Sequence, residues 1–413
     1  MELQIIRRNL YATNECNLVF VSPDNNHNKF YRMIPNVPDI TRFTAEYGRV
    51  GAAGMKKVYP ISSFDKIYNE KIQKGYIDQS ALHQTQVMVK SAYVPTLQPS
   101  VDWLINTLLN AANRAFKTEY TISADEITDR MIDEAQAMLL KLQNCTSVST
   151  FNTILVNMFR TIPRRMRNVS DFLAQTESDF EKIICREQEL LDFTSGQIKR
   201  SARCQSVLNT SQTYPEAIGI DIHECDTTEI QEVLKHLKRD RRFDLSSFYK
   251  VYRVTNFSTE ARFHDYCSKH HIDEKKETRM YYHGSNTRNW DGLLTSGPLL
   301  NPNAISCGKH FGHGIYFTHE AEKSRRYSSM CDYVRDTKCT LGFIGVYKVA
   351  LGNIYHVKGY DGSCSCLTPR KMEAMHKDSL YAHNDSGRTM YDDEIVIFHE
   401  EQATIRYLIA LKK

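Results

Sequence analysis

The sequence predicts an α+β protein of three regions: a small β-rich domain over residues 1–90, an all-α bundle over 97–200, and a larger mixed domain over 205–413. Three changes of texture carry this division. Residues 1–90 are rich in β-branched and aromatic residues and contain a glycine-rich turn from Gly48 to Gly54. Residues 97–200 place apolar side chains at helical spacing. Beyond residue 205, strand-like runs alternate with loops to the C-terminal residue. At 413 residues the chain is long enough to build more than one core.

Within residues 1–90 a single helix is expected, from Ser63 to Lys74. In the helical region, Ser123-Ala124-Asp125-Glu126 reads as a capping box, with Ile127, Met131, Ala135, Met138, Leu139 and Leu142 on one helical face behind it. The polar, basic stretch from Gln197 to Gln212 reads as a linker. In the mixed region, Phe248-Tyr249-Lys250-Val251-Tyr252 and the terminal Thr404-Ile405-Arg406-Tyr407-Leu408-Ile409 read as strands.

Composition narrows the function classes. With 41% hydrophobic and 25% charged residues the chain reads as a soluble globular protein. There is no apolar run of membrane length and no signal peptide, so no membrane partner is expected. The eleven cysteines form no CxxC pair, which argues for a reduced, intracellular protein and against a structural zinc site; no metal is expected. Residues 1–90 hold twelve lysines and arginines against eight acids, which accounts for the whole net charge of +4 and suggests an anionic partner for that segment.

Three motifs carry chemistry: Tyr282-His283-Gly284-Ser285, Phe311-Gly312-His313-Gly314-Ile315-Tyr316-Phe317 and Asp393-Glu394-Ile395-Val396. They set a His, a Tyr and a Glu in three separate strand-like segments. A lone His-Gly-Ser or Gly-x-Gly would be weak evidence. In this order and spacing the three resemble the catalytic domain of the poly(ADP-ribose) polymerases. That resemblance implies a split antiparallel β-sheet fold for residues 205–413 and NAD+ as substrate, cleaved at its nicotinamide bond.

The resemblance also implies roles. Glu394 is the catalytic residue, hydrogen-bonding the nicotinamide ribose and offsetting the positive charge of the oxocarbenium, with His283 and Tyr316 completing the catalytic set. His283 would hold the adenosine ribose, with Ser285 and Asn289. Tyr316 and Tyr327 would sandwich nicotinamide, while Gly284 and Ser324 fix its carboxamide; Lys323 lies near Glu394. A glycine at 284 lets a ligand approach the main chain. Asp392 and Asp393 read as a solvated turn.

Upstream, Glu46-Tyr47-Gly48-Arg49 and the later Lys74-Gly75-Tyr76-Ile77-Asp78 resemble a WGR domain, with Tyr47 in place of Trp. Tyr47 would stack on a sugar or base and Arg49 would contact a phosphate of DNA carrying strand breaks. Met158-Phe159-Arg160-Thr161-Ile162-Pro163 and Glu189-Leu190-Leu191-Asp192 resemble a regulatory helical domain that inhibits the enzyme until DNA binds. The whole resembles the short, DNA-dependent members of the family, which implies a DNA-activated enzyme building poly(ADP-ribose) on itself and other proteins, nuclear in a eukaryote and otherwise in the cytoplasm or nucleoid. Departures at Lys309, His310, His313 and Leu299 leave two alternatives open: transfer of single ADP-ribose units, or a catalytically weak adaptor at DNA ends.

Overall fold

A computed structural model describes residues 15–36, 39, 41–80, 93–122, 124–205, 212–300, 310–330, 340–360 and 362–413. The chain forms two compact units, one of residues 1–88 with 115–198 and one of 89–114 with 199–413. The division falls inside two long helices, so the sequence region 97–200 contributes to both units.

In the first unit five strands run antiparallel in the order β4-β3-β2-β1-β5: β1 (Cys16–Ser22), β2 (His27–Pro35), β3 (Arg42–Arg49), β4 (Met55–Pro60) and β5 (Ile77–Asp78). The helix α1 (Phe64–Gln73) covers one face. Alternation along the strands sends Leu18, Tyr31, Met33, Phe43 and Ala45 to that face, where Phe64 meets Phe43 edge-on with ring centroids 5.0 Å apart. Each such ring contributes about 1.5–3 kcal/mol by leaving water. Gly75, at φ +86°, ends α1 in a left-handed turn that a side chain would strain.

The rest of this unit is helical. α2 (Pro99–Glu119) enters it at residue 115, and α3 (Asp129–Leu142), α4 (Val148–Thr161) and the first nineteen residues of α5 (Phe180–Gln205) belong to it. Met131, Ala135, Leu139 and Leu142 are buried, as their spacing predicts. The cap differs. Ser123 lies outside the described residues, Ala124–Glu126 form a 3-10 turn, and Thr128 is the N-cap, accepting from Met131 N at 3.2 Å. Glu126 turns instead to Arg32, 3.2 Å away. Arg164, 3% exposed, is held between Glu119 at 2.9 Å and Glu187 at 3.4 Å over the Tyr120 ring. Removing one partner of a buried pair of this kind costs about 3–5 kcal/mol. The expected linker from Gln197 is a correction: the helix runs on to Gln205, and residues 206–211 lie outside the described residues.

The second unit is built on two sheets. The larger has the order β6-β7-β14-β10-β8, from β6 (Ile220–Glu224), β7 (Phe248–Asn256), β8 (Thr278–Ser285), β10 (Leu341–Ala350) and β14 (Ala403–Lys412), all antiparallel. The smaller has the order β11-β12-β13-β9, from β9 (Ile315–Phe317), β11 (Ile354–Lys358), β12 (Ser379–His383) and β13 (Glu394–Ile397), antiparallel except for the pair β11 and β12. The sheets meet where Tyr282 and Thr318 exchange both main-chain hydrogen bonds, at 2.8 and 3.0 Å. β10 and β14 are apolar on both faces because both are covered. Phe343, Tyr347, Leu408 and Ala410 enter one core with Trp290 and the first turns of α2; Ile344, Val346, Ile409 and Leu411 enter the other. Among the described residues, six further helices complete the unit: α6 (Tyr214–Ile218), α7 (Thr227–Leu237), α8 (Phe257–Lys269), α9 (Trp290–Ser296), α10 (Ala321–Arg326) and the short α11 (Pro369–Ala374).

The described cysteines Cys16, Cys145, Cys225, Cys267, Cys364 and Cys366 are free, whereas Cys185 is disulfide-bonded, a departure from the fully reduced chain expected. Among the described residues, no helix is long and apolar enough to cross a membrane and no three His, Cys, Asp or Glu side chains converge as metal ligands.

Candidate active site

The three motifs converge at the junction of the two sheets. β8 delivers His283, Gly284 and Ser285 from its C-terminal end. β9 delivers Tyr316 and pairs with β13, so that Tyr316 stands opposite Val396, two residues from Glu394. α10, which follows β9 closely, delivers Lys323 and Ser324 and ends at Tyr327.

His283 Nδ1 lies 2.9 Å from the Tyr316 carbonyl oxygen. A carbonyl only accepts, so Nδ1 carries the proton and the ring orientation is fixed by the neighbouring motif. Tyr316 is fixed in turn. Its hydroxyl accepts from Phe311 N at 3.0 Å and donates to the Gly312 carbonyl at 2.9 Å, closing the Phe-Gly-x-Gly turn on its own tyrosine. Burial pushes the Tyr316 phenol well above its ordinary range, so it stays a neutral donor.

The glycines answer to the protein's own main chain. A Cβ on Gly284 would sit 1.9 Å from the Ser324 carbonyl oxygen. Gly284 therefore admits α10 against β8. The motif implies room for a ligand at this glycine; the geometry gives it this additional duty. Gly312, at φ +82°, abuts Leu367, whose carbonyl oxygen would be 2.2 Å from a Cβ there.

Lys323 Nζ lies 2.6 Å from Glu394 Oε1 and 3.3 Å from the Asp393 carbonyl oxygen, and both side chains are 13% exposed. The ion pair ties the first residue of β13 to α10. Ser324 is 1% exposed and its Oγ has no hydrogen-bond partner among the described residues. The same holds for Asn289 Oδ1, whose Nδ2 donates to Ser285 Oγ at 2.9 Å. A buried polar atom without a partner costs about 1–3 kcal/mol, so both are groups a polar ligand would satisfy. Tyr327, by contrast, is 63% exposed, a flat face with room for a partner ring.

The acidic triplet is not the solvated turn the sequence suggested. Asp392 is 6% exposed and pairs with Arg242 at 2.5 Å. Asp393 accepts from the Tyr381 hydroxyl at 2.8 Å and from Asn384 main-chain and side-chain nitrogens, each at 2.7 Å. Burial alone would raise its acid range; these donors outweigh burial and hold it below the usual carboxylate range. Thr318 Oγ1 reaches the Asp393 carbonyl at 3.2 Å. Thr318, Tyr381 and Asn384 thus brace the turn that presents Glu394. Sequence reasoning missed them, and only their strand positions beside the motifs could have hinted at it.

In the first unit the two residues expected to touch DNA are engaged. Tyr47 stacks on Tyr31 with centroids 5.3 Å apart. Arg49 donates to Asn26 O at 2.8 Å, Asn26 Oδ1 at 3.2 Å, Met166 O at 3.1 Å and Arg167 O at 2.8 Å. Arg49, expected at a phosphate, ties the sheet to the turn after α4 through its guanidinium. Lys56 and Lys57, on the edge strand β4, are exposed.

The split sheet presents a fixed His, a fixed Tyr and a Lys-paired Glu around unsatisfied polar atoms, the arrangement that the resemblance to an ADP-ribosyltransferase catalytic domain implies. Comparison with known proteins agrees. Residues 227–413 match the poly(ADP-ribose) polymerase catalytic domain and residues 14–82 match the WGR domain. The chain is 28% identical over 197 residues to uncharacterized protein 101L of Invertebrate iridescent virus 6, covering 47% of this chain and 82% of that one. It is 23% identical over 185 residues to poly(ADP-ribose) polymerase 2 of Arabidopsis thaliana, covering 40% of this chain and 27% of the relative. It is 22% identical over 255 residues to poly(ADP-ribose) polymerase 1 of Danio rerio, covering 56% and 23%. The chain carries a poly(ADP-ribose) polymerase catalytic domain over residues 227–413 and a WGR domain over residues 14–82, and NAD+ is the substrate of that catalytic domain.

Proposed function

We propose that the protein is a DNA-break-activated enzyme that releases nicotinamide from NAD+ and builds poly(ADP-ribose) on itself and on other proteins. The observation that carries the catalytic reading is the Glu394 carboxylate held at 2.6 Å by Lys323 beside the partnerless Ser324 hydroxyl. In this reading Ser324 and the Gly284 main chain hold the nicotinamide carboxamide, and Tyr316 and Tyr327 flank its ring. His283, Ser285 and Asn289 hold the adenosine ribose. Holding both ends orients the scissile bond. Glu394 accepts a hydrogen bond from the ribose 2′-hydroxyl and stabilises the positive charge that grows as nicotinamide leaves with the bonding electrons. The acceptor hydroxyl then attacks, losing its proton toward Glu394, while the 2.6 Å contact with Lys323 holds that carboxylate in place.

The DNA dependence rests on the match to a WGR domain and on the basic balance of residues 1–90. With Arg49 engaged, the exposed Lys56 and Lys57 are the better phosphate contacts. The helical region over 97–200 would restrain the enzyme until DNA shifts the population to an open state, and a nuclear location in a eukaryote follows from that role. One observation favours transfer of single units instead: His310, which replaces a family methionine in the acceptor cleft, packs on Tyr360 with centroids 4.4 Å apart.

Automodification with labelled NAD+, with and without nicked DNA, tests all of this. A DNA-stimulated ladder that collapses in Glu394→Gln is the expected result. A single band in the wild type establishes mono-transfer. A signal indifferent to DNA removes the sensor role, and no NAD+ consumption above background leaves a DNA-end adaptor.

A further inference from the structure

A cavity of about 440 Å³ lies in the second unit, within the size range of small-molecule sites. None of its lining residues belongs to the set assigned to NAD+ above. Its floor is Tyr282, Val346 and Val233, all buried; Tyr407, Asp240 and Glu320 form the wall; charged side chains of α7 and the turn after it reach the rim. Tyr282 faces it because strand alternation sends His283 to the opposite core.

Two features mark this cavity as a site. Tyr282 is 9% exposed and lines the cavity, with Asp240 and Arg239 the charges that act on its hydroxyl. Glu320 is partly buried, and the Thr318 hydroxyl is the one hydrogen bond to its carboxylate among those residues. Burial pushes the Glu320 carboxyl up, and the nearby Asp392 and Asp393 push it further, with Thr318 and Lys323 opposing. Asp240, the other carboxylate of the wall, is already committed. It accepts from the Arg242 and Glu322 main-chain nitrogens, at 3.1 and 2.9 Å. The charges of Glu232 and Arg239 stand at the exposed rim, where water screens them. What remains in depth is a carboxylate with no salt-bridge partner among the described residues, held by the Thr318 hydroxyl above an aromatic and aliphatic floor.

We infer that this cavity binds a small organic cation, an ammonium group on an aryl or alkyl body, at a site distinct from that of NAD+. The ammonium pairs with Glu320 and the body lies against Tyr282, Val346 and Tyr407, whose rings also favour a cation at their faces. The inference goes beyond the proposed function and does not depend on it.

The test is titration of the full chain with phenethylamine, followed by methyl NMR signals of Val233, Val346 and Met280. Saturable shifts are expected, with the neutral phenethyl alcohol binding about tenfold more weakly or worse. Glu320→Gln should lose the same factor, and Tyr282→Phe, which removes only a hydroxyl, should weaken binding several-fold in a chain that keeps its fold. Nicotinamide should not displace the probe. Absence of saturation, equal affinity for the alcohol, indifference to Glu320→Gln, or displacement by nicotinamide would each overturn the inference.

Discussion

In the catalytic unit, Ser324 Oγ and Asn289 Oδ1 are buried without partners among the described residues, and Tyr327 stands 63% exposed. In the first unit, the two residues picked for DNA are spoken for: Tyr47 rests on Tyr31, and Arg49 gives its protons to four oxygen acceptors. Both sets came from motifs in the sequence, the second with Tyr47 in place of the motif's Trp. Residue type and spacing find a motif, whereas a binding group must also be left with unsatisfied valence. Catalytic domains keep such atoms open because a substrate repays the cost on binding. A guanidinium can serve just as well as a brace, since it carries five donors in a rigid fork.

The sharpest way to test this contrast is at Glu394. Glu394→Gln keeps the shape and removes the charge, so NAD+ cleavage should fall roughly 10²–10³-fold in a chain that still folds, though the unpaired Lys323 lowers its melting temperature. A loss of fold instead would put Glu394 on the same footing as Arg49. Next in size is Gly284→Ala. Its methyl would collide with the Ser324 carbonyl, so α10 must shift. We expect a loss of about 1–3 kcal/mol in a denaturant melt together with lost nicotinamide release. A variant that melts like the wild type would mean that α10 is not seated on β8.

Arg49→Ala breaks the comparison from the other side. It leaves the Asn26, Met166 and Arg167 oxygens short of donors, which should cost about 1–3 kcal/mol by thermal or denaturant unfolding. Unchanged stability with lost DNA affinity would return Arg49 to the role its motif suggested. The smallest effect belongs to Asp393→Asn. Hydrogen bonds hold this carboxyl below its ordinary range despite burial, so its stabilisation is present above the unfolded-state value of about 4 and is lost as pH falls through the lower folded value. The melting temperature of the variant should trail the wild type at pH 7, and the gap should close as pH falls below the ordinary carboxylate range. A gap that persists at acid pH would assign Asp393 a packing role rather than an ionic one.

Much of the fold was legible. The α1 helix, the strands at Phe248 and Thr404, and the buried face of α3 follow from periodicity, because a covered face must be apolar at the element's own repeat. The linker at Gln197 was misread because that stretch is polar at helical spacing too, and α5 continues through it. The capping box failed at its boundary. Thr128, five residues on, has the same chemistry as Ser123, and local sequence does not choose between two capable caps.

The sequence by itself pointed to the class of enzyme, through the order and spacing of the motifs that hold His283, Tyr316 and Glu394. Only the tertiary structure decided which polar groups remain open and which are consumed. It put the Ser324 main chain against Gly284, buried Asp392 under Arg242, braced Asp393 with Tyr381 and Asn384, and gave Arg49 its carbonyls. Hydrogen bonds and ion pairs between distant segments have a range of about 3 Å, so whether a donor meets its acceptor depends on how segments far apart in sequence pack together.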